Sequence, residues 1–356
     1  MSKILYSAST ISHINNFHLD YIEALRRDGH EVLVMARGKG ADFDIPFEKK
    51  LLSYKNARCR KEIKAILKRE KFDAILLNTS LAAFHIRLAI SGKDRPRVAN
   101  LVHGYLFSKD TGKLKRLAFL LCEKIFRHKT DSIIVMNSED FEIATKNRLS
   151  RGEIYNSLGM GVKRKPVNTE NVENLKKASE GQLVISFVGE LSSRKNQEFL
   201  ISAMPAVLKR MPNASLWLIG DGAERGNLEA LSSSLGVGEN VRFFGQVPNP
   251  CDFISASDLY VSASKIEGLP FNILEAMSIG KPVLISDIKG HSDIVLDGET
   301  GFLYPLNDLD AFTKKLAAFC NGIGVDSKKV EAAFEKYSYE NVFSDTLFKI
   351  KESLGV

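Results

Sequence analysis

Glu267-Gly268-Leu269-Pro270-Phe271-Asn272-Ile273-Leu274-Glu275 lies at the centre of residues 258–293. The run ahead of it, Asp258-Leu259-Tyr260-Val261-Ser262-Ala263-Ser264, predicts a buried strand that delivers Glu267 into a loop. Pro270 suits the first turn of a helix, where a missing N–H costs nothing. Glu275 then falls about one and a half turns inside that helix, and Gly280-Lys281-Pro282 stops it. Two carboxylates thus flank a helix N-terminus, whose free amides suit an anion such as diphosphate. Pro282-Val283-Leu284-Ile285-Ser286 follows as a strand, making the unit strand–loop–helix–strand.

The same rhythm extends in both directions. Strands are predicted at 183–189, 214–219, 241–244, 258–264, 282–286 and 301–304, and before them at 4–7, 31–36, 74–78, 97–103 and 132–137. Phe17, Tyr21, Ala24 and Leu25 recur at helical spacing, and Asp28-Gly29 ends that helix. Such alternation predicts α/β architecture: parallel sheets covered on both faces, in two Rossmann-like domains facing each other across a cleft. The glycines, basic triplet and proline of 151–166 read as the linker between them. Ligands of such sheets lie beyond the strand C-termini. The loops of interest are therefore 9–16, 78–81, 103–107 and 137–140 in the first half. In the second half they are Gly189-Glu190-Leu191-Ser192-Ser193-Arg194-Lys195-Asn196, Gly220-Asp221-Gly222 and Gly245-Gln246-Val247-Pro248.

A length of 356 residues predicts two domains, and 44% hydrophobic with 26% charged residues describes an ordinary globular chain. No run reaches the roughly 18 apolar residues of a membrane span, and Met1-Ser2-Lys3-Ile4-Leu5-Tyr6 runs straight into a strand, so export is not expected. Cys59, Cys122, Cys251 and Cys320 lie far apart without a Cys-x-x-Cys pair, as packing residues in a reducing compartment would. Charge is uneven: residues 1–165 hold 32 Lys and Arg against 18 Asp and Glu, while the remainder is net acidic. The basic half is therefore expected to face something anionic, whether nucleic acid, a membrane surface or a phosphorylated substrate. Its charge concentrates in 49–71, beginning with Lys49 and Lys50, and in 109–129, where Lys113, Lys115, Arg116, Lys124, Arg127 and Lys129 interleave with Leu114, Leu117, Leu120, Leu121 and Ile125. The second segment reads either as a basic amphipathic helix for anionic lipid or as a core-facing helix with solvated lysines.

Several chemistries are disfavoured. Ser7-Ala8-Ser9-Thr10-Ile11-Ser12-His13 follows the first strand without the glycines of a dinucleotide site. Neither a Gly-x-x-x-x-Gly-Lys-Ser/Thr loop nor a Gly-x-Ser-x-Gly elbow occurs. Asp42-Phe43-Asp44 and Asp308-Leu309-Asp310 read as turn and cap residues, and no His/Cys run has zinc spacing, so no metal or other cofactor is expected. Nucleic-acid binding lacks a recognition motif. Two residues stand out otherwise. His103, ending a central strand before Gly104, either meets a sugar hydroxyl or caps its strand. Lys195, near a helix start, either neutralises a diphosphate or is simply exposed.

Taken together, Phe187-Val188-Gly189, Lys195-Asn196, Leu218-Ile219-Gly220-Asp221-Gly222, Val241-Arg242-Phe243-Phe244-Gly245, the Glu267-x₇-Glu275 spacing, Gly280-Lys281-Pro282-Val283 and Asp297-Gly298-Glu299-Thr300-Gly301 resemble the donor domain of a family-4 retaining glycosyltransferase with the GT-B fold. Thr10-Ile11-Ser12, Asp28-Gly29-His30-Glu31-Val32, His103-Gly104 and Asn137-Ser138-Glu139-Asp140 resemble, more loosely, acceptor domains of exopolysaccharide and capsule transferases. The resemblance implies an acceptor-binding domain at 1–165, a nucleotide-sugar domain at 166–337, and a final helix at about 338–356 packed back on the first. It further implies that Glu275 binds the ribose and that Glu267 lies beside the donor sugar. The amides of Gly268, Leu269 and Phe271 would surround sugar and diphosphate, with Val247 in the loop near the base. Lys195 would stabilise the leaving diphosphate, and His103 would contact the donor sugar from across the cleft. No divalent metal is needed in that family. Where the family commonly carries an arginine the chain has Glu190, and Arg194 is the candidate replacement.

The implied activity is transfer, with retention, of a sugar from a nucleotide diphosphate to a polyisoprenyl-linked, glycolipid or glycan acceptor in cell-surface polysaccharide assembly, by a cytoplasmic enzyme peripheral on the inner face of the membrane. Two alternatives share the nucleotide site: a nucleotide-sugar 2-epimerase, and a subunit that binds nucleotide-sugar without turnover.

Overall fold

The alternation of apolar strands and amphipathic helices produces two all-parallel sheets. The structure, a computed structural model, describes residues 1–48, 51, 53–92 and 94–356; Lys49 and Lys50 of the basic run lie outside them. The chain forms two compact units, Met1–Met160 with Val342–Val356, and Gly161–Asn341.

In the first unit the strands are β1 (Lys3–Thr10), β2 (Glu31–Arg37), β3 (Phe43–Asp44), β4 (Ala74–Asn78), β5 (Arg97–Val102), β6 (Ser132–Val135) and β7 (Ile154–Asn156), arranged 3-2-1-4-5-6-7. Chain order reverses between β1 and β4. β4 is buried along its whole length, as a central strand covered on both faces must be. The helix Tyr339–Leu354 belongs mostly to this unit: Arg97 Nε and Ser132 Oγ both donate to the Ser353 carbonyl, at 2.9 and 3.1 Å.

The second unit contains β8 (Leu183–Val188), β9 (Ala214–Ile219), β10 (Val241–Gly245), β11 (Leu259–Ser262), β12 (Val283–Asp287) and β13 (Phe302–Pro305), arranged 10-9-8-11-12-13. Its switch point lies between β8 and β11. Leu200, Ile201, Met204 and Val207 of the helix Gln197–Arg210 pack on Ile185, Phe187, Leu216 and Leu218 of the sheet. Four glycines knit the strand ends. A Cβ on Gly220 would meet the Gly189 carbonyl at 2.1 Å, and one on Gly222 the Leu191 carbonyl at 2.2 Å. Gly220 N in turn donates to the Gly245 carbonyl at 2.8 Å.

Several expectations are corrected. Residues 9–16 form the end of β1 and the helix Ile11–Phe17, because the Thr10 side chain caps that helix by accepting from His13 N. The helix expected to run through Phe17 and Leu25 breaks at His18 and resumes as Leu19–Arg27. Residues 151–166 are not all linker: Ile154–Asn156 adds an edge strand to β6, too short to leave a periodic signal. Pro270 precedes the helix Phe271–Met277 as its N-cap instead of occupying the first turn. Asp42 and Asp44 accept backbone N–H bonds from Val34 and Gly38, and Asp308 caps the helix Leu309–Cys320, the turn and cap roles expected of them.

Candidate functional site

The switch point of the second unit brings together loops that are remote in sequence. The loop after β8 carries Arg194 and Lys195; the loop after β11 carries Glu267. Lys195 Nζ lies 2.8 Å from Glu267 Oε1, and Arg194 Nη1 lies 2.8 Å from Glu267 Oε2. Lys195 and Glu267 are buried, while Arg194 is 43% exposed. Burial by itself would raise the Glu267 pKa, yet Lys195, Arg194 and His291 together outweigh it and bring the carboxyl down to about 2. Glu267 is therefore a permanent anion near neutral pH, and the group of three side chains carries one net positive charge.

Backbone geometry holds this cluster in place. Asn196 adopts a left-handed conformation (φ 59°), and its Nδ2 donates to the Ala263 carbonyl at 3.0 Å, tying the β8 loop to the end of β11. Gln197 Nε2 donates to the Glu190 carbonyl at 2.8 Å, which closes the Lys195 loop on itself. Gly290 approaches so closely that a Cβ there would meet the Gly268 carbonyl at 2.6 Å. Gly268 and Leu269 are buried beneath this contact. On the following helix, Asn272 Nδ2 donates to the Val188 carbonyl at 2.8 Å and to Tyr260 Oη at 2.7 Å, fixing the helix start against β8 and β11. Phe271, beside it, is half-buried. One turn on, Glu275 Oε1 pairs with Lys165 Nζ at 2.5 Å.

The first unit assembles a different group. His103 follows β5, His13 lies on the helix Ile11–Phe17, and His18 occupies the break after it. His13 Nε2 and His18 Nε2 are 3.2 Å apart, Tyr6 Oη is 2.8 Å from His18 Nδ1, and the His103 ring packs edge-on against both histidines. Burial lowers the His13 pKa to about 4 and pushes His18 and His103 well below their ordinary value. All three are neutral imidazoles.

Residues 168–340 match the family described as glycosyl transferases group 1, and residues 14–153 match glycosyltransferase family 4. The chain carries two glycosyltransferase domains, family 4 in its first half and group 1 in its second. Over 354 residues, this glycosyltransferase is 27% identical to EpsD of Bacillus subtilis (strain 168), a protein named as a glycosyltransferase, covering 94% of this chain and 93% of that one. It is 28% identical over 262 residues to the UDP-Gal:alpha-D-GlcNAc-diphosphoundecaprenol alpha-1,3-galactosyltransferase of Escherichia coli, covering 70% of this chain and 67% of that one. Among solved structures, HepE of Anabaena in complex with UDP-glucose superposes with a TM-score of 0.74 at 18% identity, covering 99% of this chain and 100% of that one, a likeness of fold. The two parallel α/β sheets are those of the GT-B class.

Within the glycosyltransferase, then, the residues singled out in sequence divide between the units. Glu267, Lys195, Arg194, Gly268 and Leu269 form one cluster, with Phe271 and Glu275 on the adjoining helix. Val247 is half-buried in the loop after β10. His103 belongs to the first unit. Two participants carried no local signal. His291 is fully buried, and its Nδ1 donates to the Ser286 carbonyl at 2.7 Å. That bond fixes the tautomer and leaves Nε2, buried without a hydrogen-bond partner, as an acceptor close enough to feel the Glu267 charge. Lys165, read as linker, is the ion-pair partner of Glu275.

Proposed function

We propose that the chain transfers a sugar from a nucleotide-diphosphate-sugar to a lipid-linked or glycan acceptor of cell-surface polysaccharide, with retention of configuration. The observation that carries this reading is the buried Lys195–Glu267–Arg194 cluster at the sheet's switch point. Its net positive charge suits a diphosphate, and Glu267 keeps both cations aligned before the donor arrives, so little reorganisation is needed as charge grows on the leaving group. Because Lys195 and Arg194 keep Glu267 ionised despite its burial, it serves as an orienting anion beside the sugar and not as a general acid. Glu275 accepts from the ribose hydroxyls, exchanging part of its bond to Lys165. The amides of Gly268, Leu269 and Phe271 meet sugar and diphosphate, and the Val247 loop lies against the base. Lys195 and Arg194 supply the countercharge, so in this reading the transfer needs no divalent metal.

In the reaction the bond from the anomeric carbon to the diphosphate breaks, a bond to the acceptor oxygen forms on the same face, and the acceptor proton passes to the departing phosphate. His103 meets a sugar hydroxyl. A UDP-sugar is the favoured donor class and a polyisoprenyl-diphosphate glycan the favoured acceptor, in keeping with the substrates named for the Escherichia coli relative. Transfer of radiolabelled sugar into a lipid extract, abolished by Glu275→Ala, tests the reading; label released or epimerised without an acceptor overturns it.

The acceptor's membrane also has a docking surface in this reading. Among the described residues no helix is long and apolar enough to cross a membrane. The helix Lys113–Phe126, however, turns Phe119, Leu120 and Phe126 inward and anchors through Glu123 to the buried Arg87 at 2.7 and 3.1 Å. Its outer face leaves Leu114, Leu117, Leu121 and Ile125 about half exposed or more, flanked by exposed Lys113, Lys115 and Lys124. An apolar stripe between lysines matches an anionic bilayer surface, hydrocarbon inside and phosphate above. It would hold the enzyme on the inner face of the cell membrane.

A further inference from the structure

We propose that His13, His18 and His103 form a binding site for one divalent cation of the zinc class. Three separate pieces of the first unit supply the ligands, and one ring nitrogen of each lies within 4.8 Å of the others. The 3.2 Å between His13 Nε2 and His18 Nε2 is close to the ~3.3 Å between two imidazole ligands at tetrahedral angles around zinc. Tyr6 Oη, at 2.8 Å, accepts from His18 Nδ1, a bond that orients the imidazole and leaves its Nε2 lone pair for the metal. His103 Nε2 is buried with no hydrogen-bond partner, a costly arrangement that a cation would relieve. A set of three nitrogens with no carboxylate selects zinc, copper or nickel over magnesium or calcium, and leaves a fourth position for water.

The site goes beyond the transfer reaction but touches it. It rests on the proposed transfer at one point: His103 is the residue assigned there to the sugar, and a metal that takes its lone pair removes it from that task. Bound zinc is therefore inhibitory.

The test uses the full-length chain, stripped with chelator and titrated with Co²⁺. The expected result is a visible absorption band that saturates at one equivalent and disappears when Zn²⁺ displaces the cobalt. His13→Asn and His103→Asn should each weaken Co²⁺ binding at least tenfold, and His128→Asn, at an exposed position, should leave it unchanged. Absence of the band, or wild-type affinity in both ligand variants, overturns the site. Zinc loading should also lower sugar transfer at least tenfold; full transfer with one bound zinc overturns the inhibitory role. A chain that binds cobalt yet transfers no sugar in either state supports the site and overturns the transfer reading.

Discussion

Lys195 Nζ and Glu267 Oε1 face each other at 2.8 Å between the β8 and β11 loops, with both side chains no more than 10% exposed. A pair so buried is weak evidence of net stability, since desolvation offsets the attraction, but removing one partner leaves an uncompensated charge. Lys195→Ala should therefore destabilise the fold by about 3 kcal/mol in urea titrations, and lower the turnover of sugar transfer by roughly 100-fold or more. The double variant Lys195→Ala/Glu267→Ala should lose less stability than the sum of the two singles. Strict additivity would mean that the two charges do not depend on each other.

Arg194 completes the same cluster from the solvent side, 43% exposed. Its alanine variant should cost under about 1 kcal/mol of stability, as exposed ion pairs do. If Arg194 supplies the diphosphate's second cation, where the family arginine is replaced by Glu190, UDP should bind the variant several-fold more weakly by calorimetry. Unchanged UDP affinity would sink that assignment.

The pH dependence of stability follows from two lowered groups with different windows. Burial brings His13 from 6.5 to about 4. Between those values the unfolded chain binds more protons than the folded one, so stability is complete above 6.5 and falls as pH drops toward 4. The loss is on the order of 3 kcal/mol. Glu267, brought from 4.5 to about 2 despite its burial, stabilises above 4.5 and loses that contribution as pH falls from 4.5 to 2. Urea midpoints measured from pH 7.5 to 3 should show both declines, with His13→Asn flattening the upper one and Glu267→Gln the lower.

On the helix Lys113–Phe126, Leu117 and Leu121 are 52% and 49% exposed. Leu117→Glu/Leu121→Glu should leave the melting temperature within a degree or two, as changes at exposed sites generally do. The same change should lower binding to anionic vesicles by roughly 100-fold, since each inserted leucine contributes about 1.5 kcal/mol. Equal sedimentation of variant and wild type with phosphatidylglycerol vesicles would exclude this face as the membrane contact.

Gly220 combines φ 131° with a backbone neighbour where its Cβ would stand. Gly220→Ala should cost more than about 3 kcal/mol, because neither the strand end nor the Gly189 carbonyl can retreat. An alanine variant as stable as wild type would show that the strand ends are not packed as described.

Much of this protein was legible in its residues. Apolar runs of five or six residues with glycine punctuation located all six strands of the second unit and five of the seven among the described residues of the first, because a strand buried on both faces has little choice of composition. Glu267, Glu275 and Lys195 were legible as candidates because a carboxylate or cation at a strand end or helix start is a local feature. The strands Phe43–Asp44 and Ile154–Asn156 were not, being too short for any period.

The tertiary structure alone decided which candidates meet. His13 and His103 are ninety residues apart in sequence and have ring centroids 4.5 Å apart in space. Lys165 meets Glu275, and His291 lies within the field of Glu267, for the same reason: parallel β-strands joined by crossover helices gather their C-terminal loops at one edge of the sheet, whatever their distance along the chain. Sequence determined what each loop carries. Strand order determined that the charges of the β8 and β11 loops pair with one another, since β8 and β11 stand side by side where the chain reverses direction across the second sheet.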